Sequence, residues 1–250
     1  NVPPKGVACL EAAPELDVVV VDGGLTDELL ADAEAIIVRS ATKVTPEVMA
    51  KAPKLRVVGR AGVGVDNVAV DHATSQGIVV MNTPSGNTIS TAELTFSMMM
   101  ALARKIPQAH MSMKGGEWNR KAFAGTELSG KVLGICGMGR IGAQVARRAI
   151  AFGMRVLAYD PFLSLSKARE LQVELLEQGE LFARSEFITV HMPLTDQTQD
   201  MINTESLAGM KDGGYLINCA RGGIINETDL VAAVESGKVA GAAMDVYEIE

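Results

Sequence analysis

The feature that most constrains this chain is a glycine-rich segment in its second half. Residues 131–142 read KVLGICGMGRIG, an apolar run that leads into Gly137, Gly139 and Gly142 with the spacing G-x-G-x-x-G. A helix-forming stretch follows, and a second apolar run ends in Asp160, 18 residues after the last glycine. A strand, a glycine turn, a helix and a second strand ending in an acid form the dinucleotide-binding fingerprint. The sequence therefore predicts a Rossmann unit.

Each residue of the fingerprint has a physical task. Gly137 permits the tight turn, Gly139 lets the backbone approach a pyrophosphate, and Gly142 lets the helix lie close to the strand. The helix N-terminus then faces the phosphates with its partial positive charge. Asp160 would accept hydrogen bonds from a ribose 2′-hydroxyl and repel a 2′-phosphate, which favours NAD over NADP. The alternative is a glycine-rich turn beside a surface acid.

Short β-branched runs recur between amphipathic stretches along the whole chain. Alternation of this kind predicts an α/β protein with two doubly wound parallel sheets covered by helices. We place the first domain at residues 1–84 and the second at residues 85–250, which opens with a long helix from Thr88 to His110. The predicted strands are Val18–Asp22, Ala35–Ser40, Leu55–Gly62, Ile78–Thr83, Lys131–Gly137, Arg155–Asp160, Phe187–Pro193, Gly214–Ala220 and Ala240–Val246.

Composition excludes several classes of protein. The formal net charge of −7 makes nucleic acid and anionic lipid poor partners. No apolar run approaches the ~20 residues of a membrane span. The three cysteines, Cys9, Cys136 and Cys219, form no CxxC pair, so we expect a reducing cytoplasm and no disulfide framework or metal site. Because the sequence starts at Asn1 rather than Met and stops at Glu250, we expect a fragment of a longer chain.

An arginine follows another predicted buried strand. Residues 214–226 read GYLINCARGGIIN, which brings Arg221 to the carboxyl end of that strand, where ligands of open α/β sheets bind. The planar guanidinium can grip a carboxylate with two hydrogen bonds and polarise a neighbouring carbonyl. A surface salt bridge is the alternative. The final run places Asp245 at another carboxyl end, with Glu250 just beyond it.

Several segments together carry a family resemblance. GRAGVGVDN (59–67), NTPSGNTISTAELT (82–95), GMGRIG, NCARGG and the final DVYEIE resemble the D-isomer-specific 2-hydroxyacid dehydrogenases. RSATKVT (39–45) and WNRKAFAGTELSGK (118–131) narrow the resemblance to the subfamily whose substrate is 3-phosphoglycerate. It extends from about residue 35 to residue 250. It implies that residues 1–84 are the N-terminal part of a flavodoxin-like substrate domain without its opening strand, and that residues 85–250 are the NAD-binding domain.

The resemblance also implies an activity. It points to NAD-dependent oxidation of D-3-phosphoglycerate to 3-phosphohydroxypyruvate, the first step of L-serine biosynthesis, by a cytoplasmic homodimer or higher homo-oligomer. Two alternatives remain open. One is a hydroxypyruvate or glyoxylate reductase of the same family. The other is a dimeric regulatory protein that senses NAD.

Individual positions match the family's functional residues. By resemblance, Arg221 holds the substrate carboxylate and Glu250 supports the catalytic histidine. The implied substrate-binding residues are Arg39, Arg60, Val63 and Gly64. Besides the fingerprint residues, the implied cofactor-binding residues are Arg140, Ile141, Met192, Cys219, Ala220, Arg221 and Asp245.

The chain has three histidines, and none of them matches the catalytic histidine of the family. By resemblance, the proton-transferring histidine of the family lies downstream of Glu250. Of His72, His110 and His191, only His191 lies at a predicted strand end, which makes it the alternative acid/base. The resemblance places His191 beside the cofactor instead. We therefore expect these 250 residues alone to bind NAD and to turn over little or no 3-phosphoglycerate.

Overall fold

The computed structural model describes residues 2–250. The chain divides into two compact units, one up to Asn87 and one from Thr88 onward. The sequence predicts the boundary between the two domains at residues 84 and 85. Elements are numbered below in chain order through both units.

The first unit is built on a three-stranded parallel sheet of order β1-β2-β3. Its strands are β1 (Ala35–Val38), β2 (Val57–Arg60) and β3 (Val79–Asn82), and its helices are α1 (Pro4–Glu11), α2 (Asp27–Asp32), α3 (Pro46–Ala50) and α4 (Val70–Ser75). Ile36, Val38 and Val58 point into a core with residues of the helices. The carboxyl ends of the three strands lie at one edge and carry the loops that matter below.

The predicted strand Val18–Asp22 is wrong. No regular secondary structure is assigned to Val18–Val21, and the side chains of Val19 and Val20 are 62% and 57% exposed. A strand needs a neighbouring strand for its backbone N–H and C=O groups. None of the strands in the part of the chain described here pairs with this run, so four consecutive valines are not sufficient to make a strand.

The second unit contains six parallel strands in the order β6-β5-β4-β7-β8-β9. This is the Rossmann order, which reverses between β4 and β7. The strands are β4 (Val132–Cys136), β5 (Arg155–Tyr159), β6 (Glu174–Leu175), β7 (Phe187–Val190), β8 (Gly214–Asn218) and β9 (Val239–Met244). All four residues of β7 are buried, as expected for a central strand covered on both faces. The predicted α/β class with parallel sheets and a Rossmann unit is confirmed.

Helices cover both faces of this sheet. They are α5 (Thr88–Ala103), α6 (Ile106–Lys114), α7 (Arg140–Ala151), α8 (Leu165–Glu170), α9 (Gln178–Arg184), α10 (Thr204–Gly209) and α11 (Glu227–Glu235). Met99 of α5 is 1% exposed, and Phe96 packs edge-on against Phe152 with ring centroids 4.7 Å apart. The methionine-rich stretch of α5 is therefore a packing surface.

The single helix predicted from Thr88 to His110 is also wrong, because the structure breaks it in two. Lys105 adopts a left-handed conformation with φ 52°, and Pro107 lies in the first turn of α6. Proline has no N–H to continue a helix, and its ring clashes with the preceding turn. The carbonyl of Ala103 accepts instead from the amide of Thr126 at 2.8 Å. The break follows from Pro107 and from this pairing with a distant segment.

Residues 2–250 contain neither a membrane-spanning helix nor a cluster of metal-ligating side chains. Across residues 2–250, no helix is long and apolar enough to cross a membrane. Over the same range, no three His, Cys, Asp or Glu side chains are grouped as metal ligands would be.

Candidate functional site

The glycine turn after β4 is fixed by backbone contacts. Gly137 has φ +96°, and its amide donates to the carbonyl of Tyr159 at 2.8 Å. A Cβ atom at this position would lie 2.5 Å from the carbonyl oxygen of His191. Glycine is therefore required here both for its backbone conformation and for the close approach of the loop after β7.

The other two glycines of the fingerprint differ from each other. A Cβ atom on Gly142 would overlap the carbonyl oxygen of Gly137, so this glycine lets α7 pack against the turn. Gly139 has an ordinary φ of −66°, and nothing lies within 4 Å of the place where its Cβ would be. The space beside Gly139 is open, as the approach of a pyrophosphate to the backbone requires.

The N-terminus of α7 lies at this open space. This helix has twelve residues and begins at Arg140, with Gly139 as its N-cap; no side chain caps it and no acid lies in its first turn. Arg140 is exposed, whereas Ile141 is half-buried against the core. An uncapped helix end with its partial positive charge favours an anion. The chemistry of these residues fits the pyrophosphate of a dinucleotide.

Asp160, directly after β5, joins the two strand ends. Its carboxylate accepts from the amide of Met138 in the glycine turn at 2.7 Å and from the amide of Phe162 at 2.8 Å. No basic residue occurs at positions 161–166, and the next cation, Lys167, pairs with Glu170 at 2.7 Å. A carboxylate at this position, with no cation at positions 161–166, suits a ribose with two free hydroxyls and disfavours a 2′-phosphate.

The loop that follows β7 packs against the glycine turn. The amide of His191 donates to the carbonyl of Cys136 at 2.7 Å, and a Cβ on Gly137 would lie 2.8 Å from Cγ of Met192. Met192, which the resemblance assigns to the cofactor, is thus in direct contact with the glycine turn.

His191 is unsuited to proton transfer near neutral pH. Its Nε2 shares a hydrogen bond with the hydroxyl of Thr189 at 3.1 Å, and its Nδ1 is buried and has no partner among residues 2–250. Burial lowers the pKa of His191 to about 4, so the ring is neutral and has little tendency to take up a proton. The structure argues against the alternative that His191 is the acid/base.

Arg221 lies on a short loop beyond β8. Asn218 is the last residue of β8 and is fully buried. Its side-chain oxygen accepts from the amide of Ala220 and its side-chain nitrogen donates to the carbonyl of Arg221, both at 2.9 Å. The guanidinium of Arg221 donates from Nη1 to the carbonyl of Ala220 at 2.7 Å. The main chain around Arg221 is thus held at the carboxyl end of the sheet.

Gly222 brings this loop against the last residues of the chain. A Cβ atom at Gly222 would overlap the carbonyl of Tyr247 and lie 2.7 Å from the amide of Glu248. On that segment, exposed Glu250 accepts from the amide of Tyr247 at 3.3 Å. The sequence alone predicts no role for Gly222, although the pair of glycines that directly follows Arg221 is a signal for it.

Cys219 and Asp245 lie at neighbouring strand ends. The amide of Asp245 donates to the carbonyl of Asn218 at 2.9 Å. Cys219 is 7% exposed and its thiol donates to the sulfur of Met98 at 3.5 Å. Burial raises the pKa of Cys219 and the carboxylate of Asp245 raises it further, despite a hydrogen bond with Thr95. A thiol with a raised pKa is a poor nucleophile, so Cys219 serves here as a small packing residue.

The four substrate residues implied for the first unit also meet at one sheet edge. Arg39 directly follows β1, Arg60 ends β2, and Val63 and Gly64 lie in the loop beyond it. The amide of Ala61 donates to the carbonyl of Val38 at 2.8 Å, which joins the first two loops. The side chain of Asn82 donates to the carbonyl of Val63 at 2.6 Å and joins the third strand to the same loop.

The two arginines of this edge have no acidic partner among residues 2–250. The guanidinium of Arg60 lies over Gly62, where a Cβ atom would overlap it, and its Nε is buried without an acceptor in residues 2–250. Neither Arg39 nor Arg60 forms an ion pair with an acid of the described chain, in contrast to Arg56, which pairs with Glu34. Cations that no carboxylate neutralises suit an anionic ligand.

Comparison with known proteins identifies the family. The family profile described as "D-isomer specific 2-hydroxyacid dehydrogenase, NAD binding domain" matches residues 96–250. The chain belongs to the D-isomer specific 2-hydroxyacid dehydrogenases. The matched residues include the glycine turn and the loops around it, so these lie within the NAD-binding domain of the family.

Curated relatives and solved structures agree with this assignment. D-3-phosphoglycerate dehydrogenase of Bacillus subtilis is 54% identical over 87% of this chain and 41% of its own length, and that of Methanocaldococcus jannaschii is 50% identical over 98% and 47%. The chain thus spans less than half the length of these relatives. D-lactate dehydrogenase from Aquifex aeolicus, solved with NAD and lactic acid, is 33% identical with a TM-score of 0.91, covering 99% of this chain and 76% of that one.

Substitution of two fingerprint glycines separates cofactor binding from folding. We expect Gly139→Ala to retain wild-type stability, because its Cβ meets open space, and to weaken NADH binding about tenfold, ~1.4 kcal/mol. Gly142→Ala should instead destabilise the fold by roughly 1–3 kcal/mol, because its Cβ overlaps the carbonyl of Gly137. Urea unfolding and NADH fluorescence titration measure the two effects. Equal loss of stability in both variants would contradict this division.

Removal of the charge at position 160 should relax cofactor choice. Asp160→Asn keeps an acceptor for the amide of Met138 but loses the negative charge that repels a 2′-phosphate. We expect the ratio of NADPH to NADH dissociation constants to fall about tenfold or more, and fluorescence titration of both nucleotides gives that ratio. Glu235→Gln, which removes an exposed charge at the end of α11, is the matched control and should leave the ratio unchanged. An unaltered ratio in Asp160→Asn would remove Asp160 from cofactor selection.

Acid destabilisation should depend on His191. Between pH 6.5 and about 4 the unfolded chain takes up a proton at His191 and the folded chain does not, so the free energy of unfolding falls as the pH is lowered through this window. His191→Gln should lose less stability between pH 7 and pH 5 than the wild type, by on the order of 1 kcal/mol. Urea unfolding at both pH values tests this, with exposed His110→Gln as control. The idea fails if the two variants show the same pH dependence.

Proposed function

We propose that the protein carrying this sequence oxidises D-3-phosphoglycerate to 3-phosphohydroxypyruvate with NAD as hydride acceptor, the first step of L-serine biosynthesis. The observation that supports this most directly is Arg221, which buried Asn218 holds at the same sheet edge as the NAD site. Identities of 50–54% to D-3-phosphoglycerate dehydrogenases support the choice of substrate.

Arg221 is proposed to bind the substrate carboxylate. Its guanidinium can donate two parallel hydrogen bonds to a carboxylate, and it can stabilise the negative charge that develops on the C2 oxygen. NAD, when bound, accepts the hydride from C2. Asp245, whose backbone amide donates a hydrogen bond to the carbonyl of Asn218 at the end of β9, is proposed to hold the nicotinamide carboxamide.

Glu250 is proposed to hold the imidazole of the acid/base histidine that the family resemblance implies. A carboxylate beside an imidazole stabilises its protonated form and raises its pKa, which suits a base that takes the C2 hydroxyl proton. Gly222 supports this assignment, because its contact with Tyr247 keeps the segment of Glu250 next to the loop of Arg221.

The first unit is proposed to contribute the remaining substrate contacts. Arg39 and Arg60 supply positive charge for the phosphate dianion, which an acidic chain with a net charge of −7 must provide locally. The backbone amides of Val63 and Gly64 are proposed for the substrate carboxylate. Among residues 2–250, no acidic side chain forms an ion pair with either arginine. Neither arginine therefore has to break an ion pair before it binds the phosphate.

Related functions are less well supported. A glyoxylate reductase from Paecilomyes thermophila is 34% identical with a TM-score of 0.82, covering 87% of this chain and 68% of that one, well below the identity of the phosphoglycerate enzymes. Arg39 and Arg60 also favour a phosphorylated substrate over glyoxylate or hydroxypyruvate. A purely NAD-sensing role would need neither Arg221 nor Glu250.

We further propose a cytoplasmic homo-oligomer. Cys9, Cys136 and Cys219 all carry free thiols, as in a reducing compartment. Four large apolar side chains of α6 and the segment after it are more than half exposed, and a second copy of the chain would cover them: Ile106, Met111, Met113 and Trp118.

The activity is tested on the whole protein that contains this sequence, by following NADH formation from NAD and 3-phosphoglycerate. Arg221→Lys should lower kcat/KM by ~10²-fold, because lysine cannot make the paired contact with a carboxylate, and should lower NADH affinity by far less. The matched control is Arg155→Lys at the opposite end of the sheet, where Arg155 pairs with Glu174 at 3.7 Å.

Substrate preference is measured in the same assay. Absence of 3-phosphoglycerate oxidation, or faster turnover of hydroxypyruvate or glyoxylate in the reverse direction, would overturn the proposal. An Arg221→Lys variant as active as the wild type would remove Arg221 from substrate binding.

A further inference from the structure

Asn218 is a polar residue in an apolar environment. It lies at the end of β8, fully buried, opposite Val190 of β7 and Met244 of β9 in the strand register. A buried amide side chain costs free energy unless its donor and acceptor are both used. An apolar residue would fill this strand position at no such cost, so the reason for asparagine lies in the hydrogen bonds it makes.

Those hydrogen bonds converge on the main chain around Arg221. The Oδ1 atom of Asn218 accepts from Ala220, Nδ2 donates to the carbonyl of Arg221, and the backbone carbonyl of Asn218 accepts from Asp245, all at 2.9 Å. The side chain therefore closes a loop from β8 to the residue that carries the guanidinium. It does so from inside the core, where it has no room to reorient.

Asparagine is the side chain that meets this geometry. The loop needs an acceptor for the amide of Ala220 and a donor for the carbonyl of Arg221 from the same short side chain. Aspartate has the same shape but no donor, and would place its charge against the carbonyl of Arg221. Alanine offers neither group and leaves the half-buried amide of Ala220 and carbonyl of Arg221 without these partners.

We propose that Asn218 is a positioning residue for the substrate: it acts through the backbone of Arg221 and fixes where the guanidinium meets the substrate carboxylate. This inference rests on the proposed function of Arg221. The side chain and the backbone of Asn218 have different roles. The side chain holds the main chain around Arg221, whereas the backbone carbonyl accepts from the amide of Asp245. Replacement of the side chain should therefore weaken the binding and turnover of the substrate and leave the binding of the cofactor nearly unchanged.

The experiment compares Asn218→Asp and Asn218→Ala in the whole protein, with steady-state kinetics on 3-phosphoglycerate and NADH fluorescence titration. We expect kcat/KM to fall about 10–100-fold through a higher KM for 3-phosphoglycerate and a lower kcat, with the NADH dissociation constant within about threefold of the wild type. If Asn218→Ala or Asn218→Asp does not fold, Asn218→Ser, which is smaller and uncharged, carries the test.

Asn226→Ala is the matched control. Asn226 lies five residues beyond Arg221. Its side chain caps α11 by accepting from the amide of Asp229 at 3.1 Å and donates to the carboxylate of Asp200 at 3.2 Å. Its loss should lower the urea midpoint and leave KM for 3-phosphoglycerate unchanged. A merely structural role for Asn218 predicts the same pattern for both asparagines and would overturn the proposal.

A double-mutant cycle identifies the route of the effect. If Asn218 acts through Arg221, Asn218→Ala should add less than about threefold in an Arg221→Lys background. Effects that multiply would show that Asn218 acts independently and would refute the positioning role. Wild-type turnover that depends on Arg221 but not on Asn218 overturns this inference alone, whereas a wild type without turnover overturns the proposed function and this inference with it.

Discussion

The carboxyl edge of the six-stranded sheet depends on contact between backbones at three glycines. Gly137 lies against the carbonyl of His191, Gly142 against the carbonyl of Gly137, and Gly222 against the carbonyl of Tyr247. Each contact excludes even a methyl group, so each fixes two segments at van der Waals distance without a side chain between them. Gly139, which lies between Gly137 and Gly142 in the chain, instead borders open space.

The electrostatics of this edge follow from the same packing. Burial lowers the pKa of His191 and raises that of Cys219, so both groups are neutral near pH 7. The charges at the strand ends are then those of Asp160, Arg221 and Asp245. Because the neighbouring titratable groups are held neutral, the field of these three side chains stays constant over the physiological pH range.

The sequence was sufficient for those parts of the structure that depend on local spacing. The fingerprint predicts the turn at Gly137 because the glycines, the helix and Asp160 are close in sequence. It was insufficient where a distant segment decides the outcome. The valines from Val18 to Val21 form no strand because no neighbouring strand pairs with them, and the helix predicted to reach His110 ends early where Ala103 pairs with Thr126. Tertiary context overrides propensity in both cases.

The site shows the same division between local and distant information. Arg221 could be recognised from its position after a strand, because the carboxyl end of a parallel strand is a ligand-binding position in itself. The roles of Asn218 and Gly222 could not be, since they depend on which atoms of Ala220, Arg221 and Tyr247 lie opposite them. Both act on the main chain on either side of the arginine. Replacement of Arg221 by lysine should therefore leave the loop in place, and the activity lost would report on the guanidinium itself.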